Sequence, residues 1–243
     1  MRLTRVYVDA PLEAGERVLV EGAAANHIAR VLRLRAGDAL TLFNGTEHEF
    51  GASIEEFRKD TVVVAIREAR SENRESPLTL TLAQGISRGE RMDWILQKAT
   101  ELGASRIVPV FTERSVVRLD AKQAQRKLQH WRGIAISACE QCGRNRVPEI
   151  ALPVGVHEFL GAADTAATRV LLSPTGELGI DDLGGSISNV VVLIGPEGGL
   201  TDVEQESALR AGFTAVRMGP RVLRTETAAI AALTIIQQKF GDL

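Results

Sequence analysis

The spacing of apolar positions changes midway along the chain. Over residues 4–8, 17–20, 39–43, 48–56 and 61–68 apolar and polar side chains largely alternate, which predicts short, half-buried strands. Asn44-Gly45 and Arg58-Lys59-Asp60 separate successive runs, and Asn-Gly between apolar runs signals a hairpin. Residues 24–34 interrupt this pattern, with Ile28, Val31, Leu32 and Leu34 at helical spacing. Short strands with one helix predict a small β-barrel domain over residues 1–70. Residues 69–76, ARSENRES, are polar and run into Pro77, so a linker is expected over 71–77.

From residue 78 strands alternate with helices. Strands are expected at 78–83, 106–110, 169–172, 190–194 and 215–218, and helices at 90–102, 120–142, 154–160, 202–211 and 225–240. That order predicts a mostly parallel α/β sheet over 78–243. The run Val190–Val191–Val192–Leu193–Ile194 is unbroken, as expected of a strand buried on both faces. Thr201 and Glu204 form a T-x-x-E capping box for one helix. Thr225 is expected to cap another, with Glu226 in its first turn where the helix dipole favours an acid.

Strand-end loops carry the candidate chemistry. Residues 171–174, 194–199 (IGPEGG) and 217–227 (RMGPRVLRTET) each follow an expected strand, and parallel strands open their carboxyl ends on one edge. The loops offer backbone donors and acceptors with few fixed charges, which suits a nucleoside-like, flat polar ligand. No G-x-x-x-x-G-K-[ST] is present, and Gly195, Gly198 and Gly199 do not fit G-x-G-x-x-G. Arg221 and Arg224 precede a helix, where a cation gains nothing from the dipole, so at least one is read as functional.

Composition narrows the setting. The chain has 243 residues and a formal net charge of -2, so any surface for a polyanion must be local. No apolar run is long enough for a bilayer, and the only two cysteines suggest a reducing cytoplasm, with no membrane expected. Cys139-x-x-Cys142 lacks the further ligands of a structural zinc site, so no metal is expected. Trp94 and Trp131 fall on helices and suit core or dimer packing.

Residues 194–200 (IGPEGGL) and 218–228 (MGPRVLRTETA) resemble the signature segments of SPOUT RNA methyltransferases, closest to the ribosomal RNA small subunit methyltransferase E family. Residues 27–33 (HIARVLR), 98–103 (KATELG), 112–115 (TERS) and 140–144 (EQCGR) extend the likeness over nearly the full chain. The resemblance implies a PUA-like RNA-binding β-barrel followed by a SPOUT α/β domain with a deep trefoil knot. It implies S-adenosylmethionine as cofactor, a homodimer, and methylation of N3 of a uridine in 16S ribosomal RNA. Carried over by residue, the cofactor contacts fall at Leu172, Gly195, Pro196, Glu197, Gly199, Met218, Gly219, Leu223 and Thr225.

The reaction needs N3 to lose its proton while negative charge spreads onto the flanking carbonyl oxygens. A guanidinium aimed at one of them stabilises that charge. Arg224 is the expected catalytic residue, with Arg221 or a partner-chain arginine such as Arg114 next. Glu197 and Glu226 are the carboxylates that could take the proton. No acid lies between residues 23 and 37, where His27, Arg30, Arg33 and Arg35 gather, with Arg2 and Arg5 upstream. Arg30 and Arg33 are expected on one helix face. Arg114, Arg118, Lys122, Arg126, Lys127, Arg144 and Arg146 form a second basic region. Arg2, Arg5, His27, Arg30, Arg33, Arg114 and Arg144 are the expected RNA contacts, on free 16S rRNA or the assembled small subunit. The alternatives are a SPOUT enzyme acting on transfer RNA or ribose 2′-hydroxyls, a non-catalytic RNA-binding protein, and a nucleotide-binding metabolic enzyme.

Overall fold

The computed structural model describes residues 4–243. The chain divides into two compact units: Met1–Glu75 with Cys139–Val147, and Ser76–Ala138 with Pro148–Leu243. The first division falls within the expected linker, but the short stretch after Ala138 groups with the first unit, which one cut along the sequence does not express.

In the first unit β1 (Arg5–Tyr7), β2 (Arg17–Val20), β3 (Ala39–Phe43), β4 (His48–Phe57) and β5 (Val62–Ser71) form one sheet in the order β1-β3-β4-β5-β2. β1 lies parallel to β3 and the other pairs are antiparallel. The β4–β5 ladder carries register shifts at Gly51/Ala52 and Ile54/Glu56, which bend and twist the paired strands. No ladder joins β1 to β2 among the described residues, so the expected barrel is hydrogen-bonded as an open sheet. Val6, Ile28, Leu40, Leu42, Ile54 and Val64 are buried together as its core.

The expected helix over 24–34 takes another form. α1 (Gly22–Asn26) passes into a π turn (His27–Val31), closed by the Leu32 N–H donating to the His27 carbonyl at 2.9 Å. Helical geometry ends there, because Arg33 adopts φ +52°. Arg30 and Arg33 therefore do not share a helix face. Ile28 is fully buried, so the wider turn keeps the apolar side chain in the core while Arg30 stays exposed.

The second unit contains β6 (Thr79–Gly85), α2 (Glu90–Glu101), β7 (Arg106–Phe111), α3 (Ala121–Cys142, its last turn in the first unit), β8 (Glu149–Ile150), β9 (Val154–Gly155), α4 (Val156–Ala162), β10 (Thr168–Leu172), β11 (Asn189–Ile194), α5 (Asp202–Arg210), β12 (Thr214–Val216) and α6 (Thr225–Phe240). The sheet order is β12-β10-β11-β6-β7-β8, with β9 also on β7, and every pair is parallel. β11 sits inside the sheet. Val190, Val192 and Ile194 join one core with Leu82, Ile95, Trp131 and Leu233, while Val191 and Leu193 join the other with Val108, Phe159 and Phe213. Two covered faces explain why its sequence shows no alternation. Each such buried side chain contributes on the order of 1.5–3 kcal/mol of transfer free energy. Trp131 is core, whereas Trp94 is 49% exposed.

The α5 capping box forms as the sequence predicts. The Glu204 N–H donates to Thr201 Oγ1 at 3.3 Å and the Thr201 N–H to Glu204 Oε2 at 2.8 Å. The other Glu204 oxygen accepts the Glu113 N–H at 2.8 Å, so the same buried carboxylate also anchors the segment after β7.

Candidate active site

A cavity of about 610 Å³ opens at the carboxyl-terminal ends of β10, β11 and β12, within the usual range for small-molecule sites. Its walls are residues 172–175 after β10, 194–200 after β11, and 216–228 running from β12 into α6. The structure thus brings together Leu172, Gly195, Pro196, Glu197, Gly199, Met218, Gly219, Leu223, Thr225 and Arg224. It adds Arg91 from α2 and Arg114 from the segment after β7.

Close backbone approach fixes the glycine loop. A Cβ on Gly195 would lie 3.0 Å from the Gly199 carbonyl carbon, and Gly199 itself has φ +69°. A Cβ on Gly85, at the end of β6, would lie 2.4 Å from the Pro196 nitrogen. Thr225 Oγ1 donates to the Gly195 carbonyl at 2.7 Å, and Gln84 Nε2 donates to Thr225 Oγ1 at 2.9 Å. Arg114 Nη1 donates to the carbonyls of Gly198 and Leu200 at 3.1 and 3.3 Å. Thr225 is therefore not the expected cap. Arg224 holds the N-cap position with extended backbone and makes no side-chain cap bond, while the Thr225 hydroxyl faces the neighbouring loop.

The two carboxylates differ in their partners. Glu197 Oε1 accepts the Arg88 N–H at 3.0 Å and Arg91 Nη1 at 2.8 Å. Burial pushes this carboxyl up, but those hydrogen bonds and the Arg91 charge outweigh it and hold it below the usual carboxylate value. Glu226 is 8% exposed; its Oε1 lies 3.9 Å from Arg91 Nε, and its Oε2 has no hydrogen-bond partner. Arg217, Arg221 and Arg224 are exposed along the cavity and form no ion pair among the described residues.

Placement of the expected RNA contacts is mixed. Arg2 lies outside the described residues. Arg30 and Arg33 are exposed, and His27 is half-buried with Nε2 3.7 Å from Glu140 Oε2. Burial pushes the Glu140 carboxyl up, opposed by the Tyr7 N–H that it accepts and by His27 and Arg5. Arg5 and Arg144 are not surface cations. Arg5 is 7% exposed, pairs with Glu49, donates to Asn145 Oδ1 at 2.7 Å and lies over the Phe43 ring. Arg144 is 4% exposed and forks onto Glu75, Nη2 to Oε2 at 2.5 Å. Charges consumed in buried pairs offer nothing to a phosphate, so the structure corrects both assignments. Arg114 is exposed, but its guanidinium braces the glycine loop.

Sequence reasoning missed Gln84 and Arg91. β6 is the parallel neighbour of β11, so its carboxyl end and the turn into α2 open on the same edge; that adjacency was the available signal. Burial pushes the Cys139 thiol up to about 12, and no group of three or more His, Cys, Asp and Glu that could hold a metal occurs among the described residues. No helix among those residues is long and apolar enough to cross a membrane.

Comparison with known proteins gives concordant matches. The family model described as "RNA methyltransferase domain" matches residues 74–237, and "RNA methyltransferase PUA domain" matches residues 20–67. The chain is similar to Ribosomal RNA small subunit methyltransferase E of Buchnera aphidicola subsp. Schizaphis graminum, with 37% identity over 242 residues, 100% of this chain and 98% of the relative. It shares 34% identity over 236 residues with the protein of the same name from Bacillus subtilis, 93% and 91% of the two chains. Among solved structures, a ribosomal RNA small subunit methyltransferase E from Neisseria gonorrhoeae bound to S-adenosyl methionine superposes with a TM-score of 0.92, at 38% identity over 100% of both chains.

Proposed function

We propose the following reaction for this chain, which belongs to the ribosomal RNA small subunit methyltransferase E family: transfer of a methyl group from S-adenosylmethionine to N3 of a uridine in 16S ribosomal RNA. The fold is α/β, a PUA-like amino-terminal domain followed by a methyltransferase domain. The cavity rimmed by exposed, unpaired Arg224 carries the reading.

The residues present fit the cofactor. The cavity has the right size, a wall made by the glycine loop 195–199, and apolar walls from Leu172, Met218 and Leu223. Leu172, Gly195, Pro196, Glu197, Gly199, Met218, Gly219, Leu223 and Thr225 would hold it. When bound, S-adenosylmethionine supplies a methyl group made electrophilic by its sulfonium. The protein then has to orient the base, exclude water, and stabilise charge on the uracil as N3 loses its proton. The last task is assigned to Arg224, which lines the cavity and forms no ion pair among the described residues.

RNA would reach the chain through exposed cations, with Arg30, Arg33 and Arg35 on the first unit and Arg217 and Arg221 on the second. The reading includes a trefoil knot. It is supported by contacts between the segment after β10 and later parts of the chain: Leu178 bridges Val216, and the Lys239 ammonium donates to the Ile180 carbonyl at 3.2 Å. It also includes a homodimer, supported by the exposed apolar side chains of Trp94 on α2 and Ile235 on α6.

Replacing Arg224 with alanine tests the assignment. Turnover should fall about 10²–10³-fold, the scale of losing one transition-state donor, with cofactor affinity unchanged by calorimetry. Undiminished turnover would remove Arg224 from the reaction.

A further inference from the structure

We infer that Glu226, not Glu197, takes the N3 proton, through Oε2. The inference rests on the uridine-N3 reading above and assigns the proton acceptor within it.

Both carboxylates line the cavity, so sequence position alone does not separate them. Their partners do. Glu197 Oε1 receives two donors, the Arg88 N–H at 3.0 Å and Arg91 Nη1 at 2.8 Å. A carboxylate held as an anion by two donors, with its affinity for a proton lowered, is a poor acceptor; its hydrogen bonds serve to hold the glycine loop. Glu226 has the opposite arrangement. It is 8% exposed and Oε2 has no hydrogen-bond partner, although a buried carboxylate oxygen is nearly always satisfied. Oε2 is closed to solvent, so it meets a donor brought in by the substrate once the side chain turns toward the cavity that the residue lines.

Position and sequence agree. Glu226 lies in the first turn of α6, two residues after Arg224 at the N-cap, so both enter the cavity from one helix start. Arg91, 3.9 Å from Oε1, keeps the carboxylate from being an isolated buried charge without occupying Oε2. Arg91 thereby divides the labour: it bonds Glu197 at 2.8 Å and stands 3.9 Å from Glu226, so the first carboxylate is a charge-paired brace and the second is the less neutralised of the two.

The step balances. The N3–H bond breaks with its electron pair left on nitrogen, and an O–H bond forms at Oε2. That pair forms the N–CH₃ bond, while the C–S electrons stay on sulfur, which becomes neutral. Water then removes the proton from Glu226. Arg224 stabilises the charge on the ring oxygens while the transfer proceeds.

Glu226→Gln keeps the side-chain shape and removes the acceptor. It should lower turnover on uridine-containing RNA about 10²–10⁴-fold, the usual scale of general-base catalysis, with the cofactor dissociation constant from calorimetry within about twofold of wild type. In RNA carrying 5-fluorouridine, fluorine makes N3–H more acidic and the base less necessary, so the deficit of E226Q should shrink at least tenfold. A purely structural role would leave the same deficit on both substrates, and that result would overturn the assignment. So would E226Q with undiminished turnover. Should E226Q fail to fold, Glu226→Ala with added formate provides the same reading: recovered turnover supports the acceptor role, and none contradicts it. A wild-type product methylated elsewhere than N3 would overturn the underlying reaction; an N3 product with unimpaired E226Q would overturn only this inference.

Discussion

The Thr225 hydroxyl donates to the Gly195 carbonyl at 2.7 Å and so ties the start of α6 to the glycine loop after β11, thirty residues earlier. The same hydroxyl accepts from Gln84 Nε2 at 2.9 Å, which joins the end of β6 to the pair. One buried threonine therefore sets the spacing of two cavity walls.

Thr225→Val keeps the shape and removes both bonds. Gly195 would keep only the weaker Gln84 contact at 3.4 Å. Leaving buried polar groups unsatisfied costs about 1–3 kcal/mol. Cofactor affinity by calorimetry should weaken roughly 5–150-fold, with helix content by circular dichroism unchanged. Unaltered affinity would show that the tie does not shape the cavity.

The pairing of Glu197 with Arg91 has a pH signature. Its folded-state carboxyl lies below the ordinary value of 4.5, so the pair stabilises the fold above that pH, and the contribution is lost as pH falls through the lower folded value. Glu197→Gln should therefore be less stable than wild type at pH 7, by no more than about 1 kcal/mol for a partly exposed pair. The two melting curves should converge as pH falls below the ordinary carboxylate value. A difference that grows on acidification would contradict the placement.

Much of this was legible in the sequence. The two covered faces of β11 appear as five consecutive apolar residues, and the Thr201–Glu204 capping box forms from its spacing alone. Other features were not, because they depend on partners far along the chain. Arg5 and Arg144 read as cations for RNA, but their carboxylates, Glu49 and Glu75, lie 44 and 69 residues away. Only the folded chain shows those charges to be consumed. The capping rule fails at Thr225 because its hydroxyl bonds the Gly195 carbonyl thirty residues away instead of the start of its own helix. The split between Glu197 and Glu226 also stayed open, since it turns on Arg91, which α2 brings to the cavity.

Cys139 should be chemically inert beside Cys142. Its thiol is fully buried and pushed up to about 12, so almost no thiolate exists at neutral pH, and only the thiolate reacts. Iodoacetamide at pH 8 followed by peptide mass spectrometry should label Cys142 and leave Cys139 largely unmodified in the folded protein. Equal labelling of both would contradict the burial that sets its pKa.

The reaction is defined by the atom that receives the methyl group. The most direct measurement incubates purified protein with S-adenosylmethionine carrying an isotopically labelled methyl group and, in parallel, with free 16S rRNA and with small subunits lacking the modification. The RNA is digested to nucleosides and analysed by mass spectrometry. Label is expected in 3-methyluridine at a single position of the RNA, and is expected to be lost in the Arg224→Ala variant. Label in a 2′-O-methylated nucleoside, or none in either substrate, would contradict it.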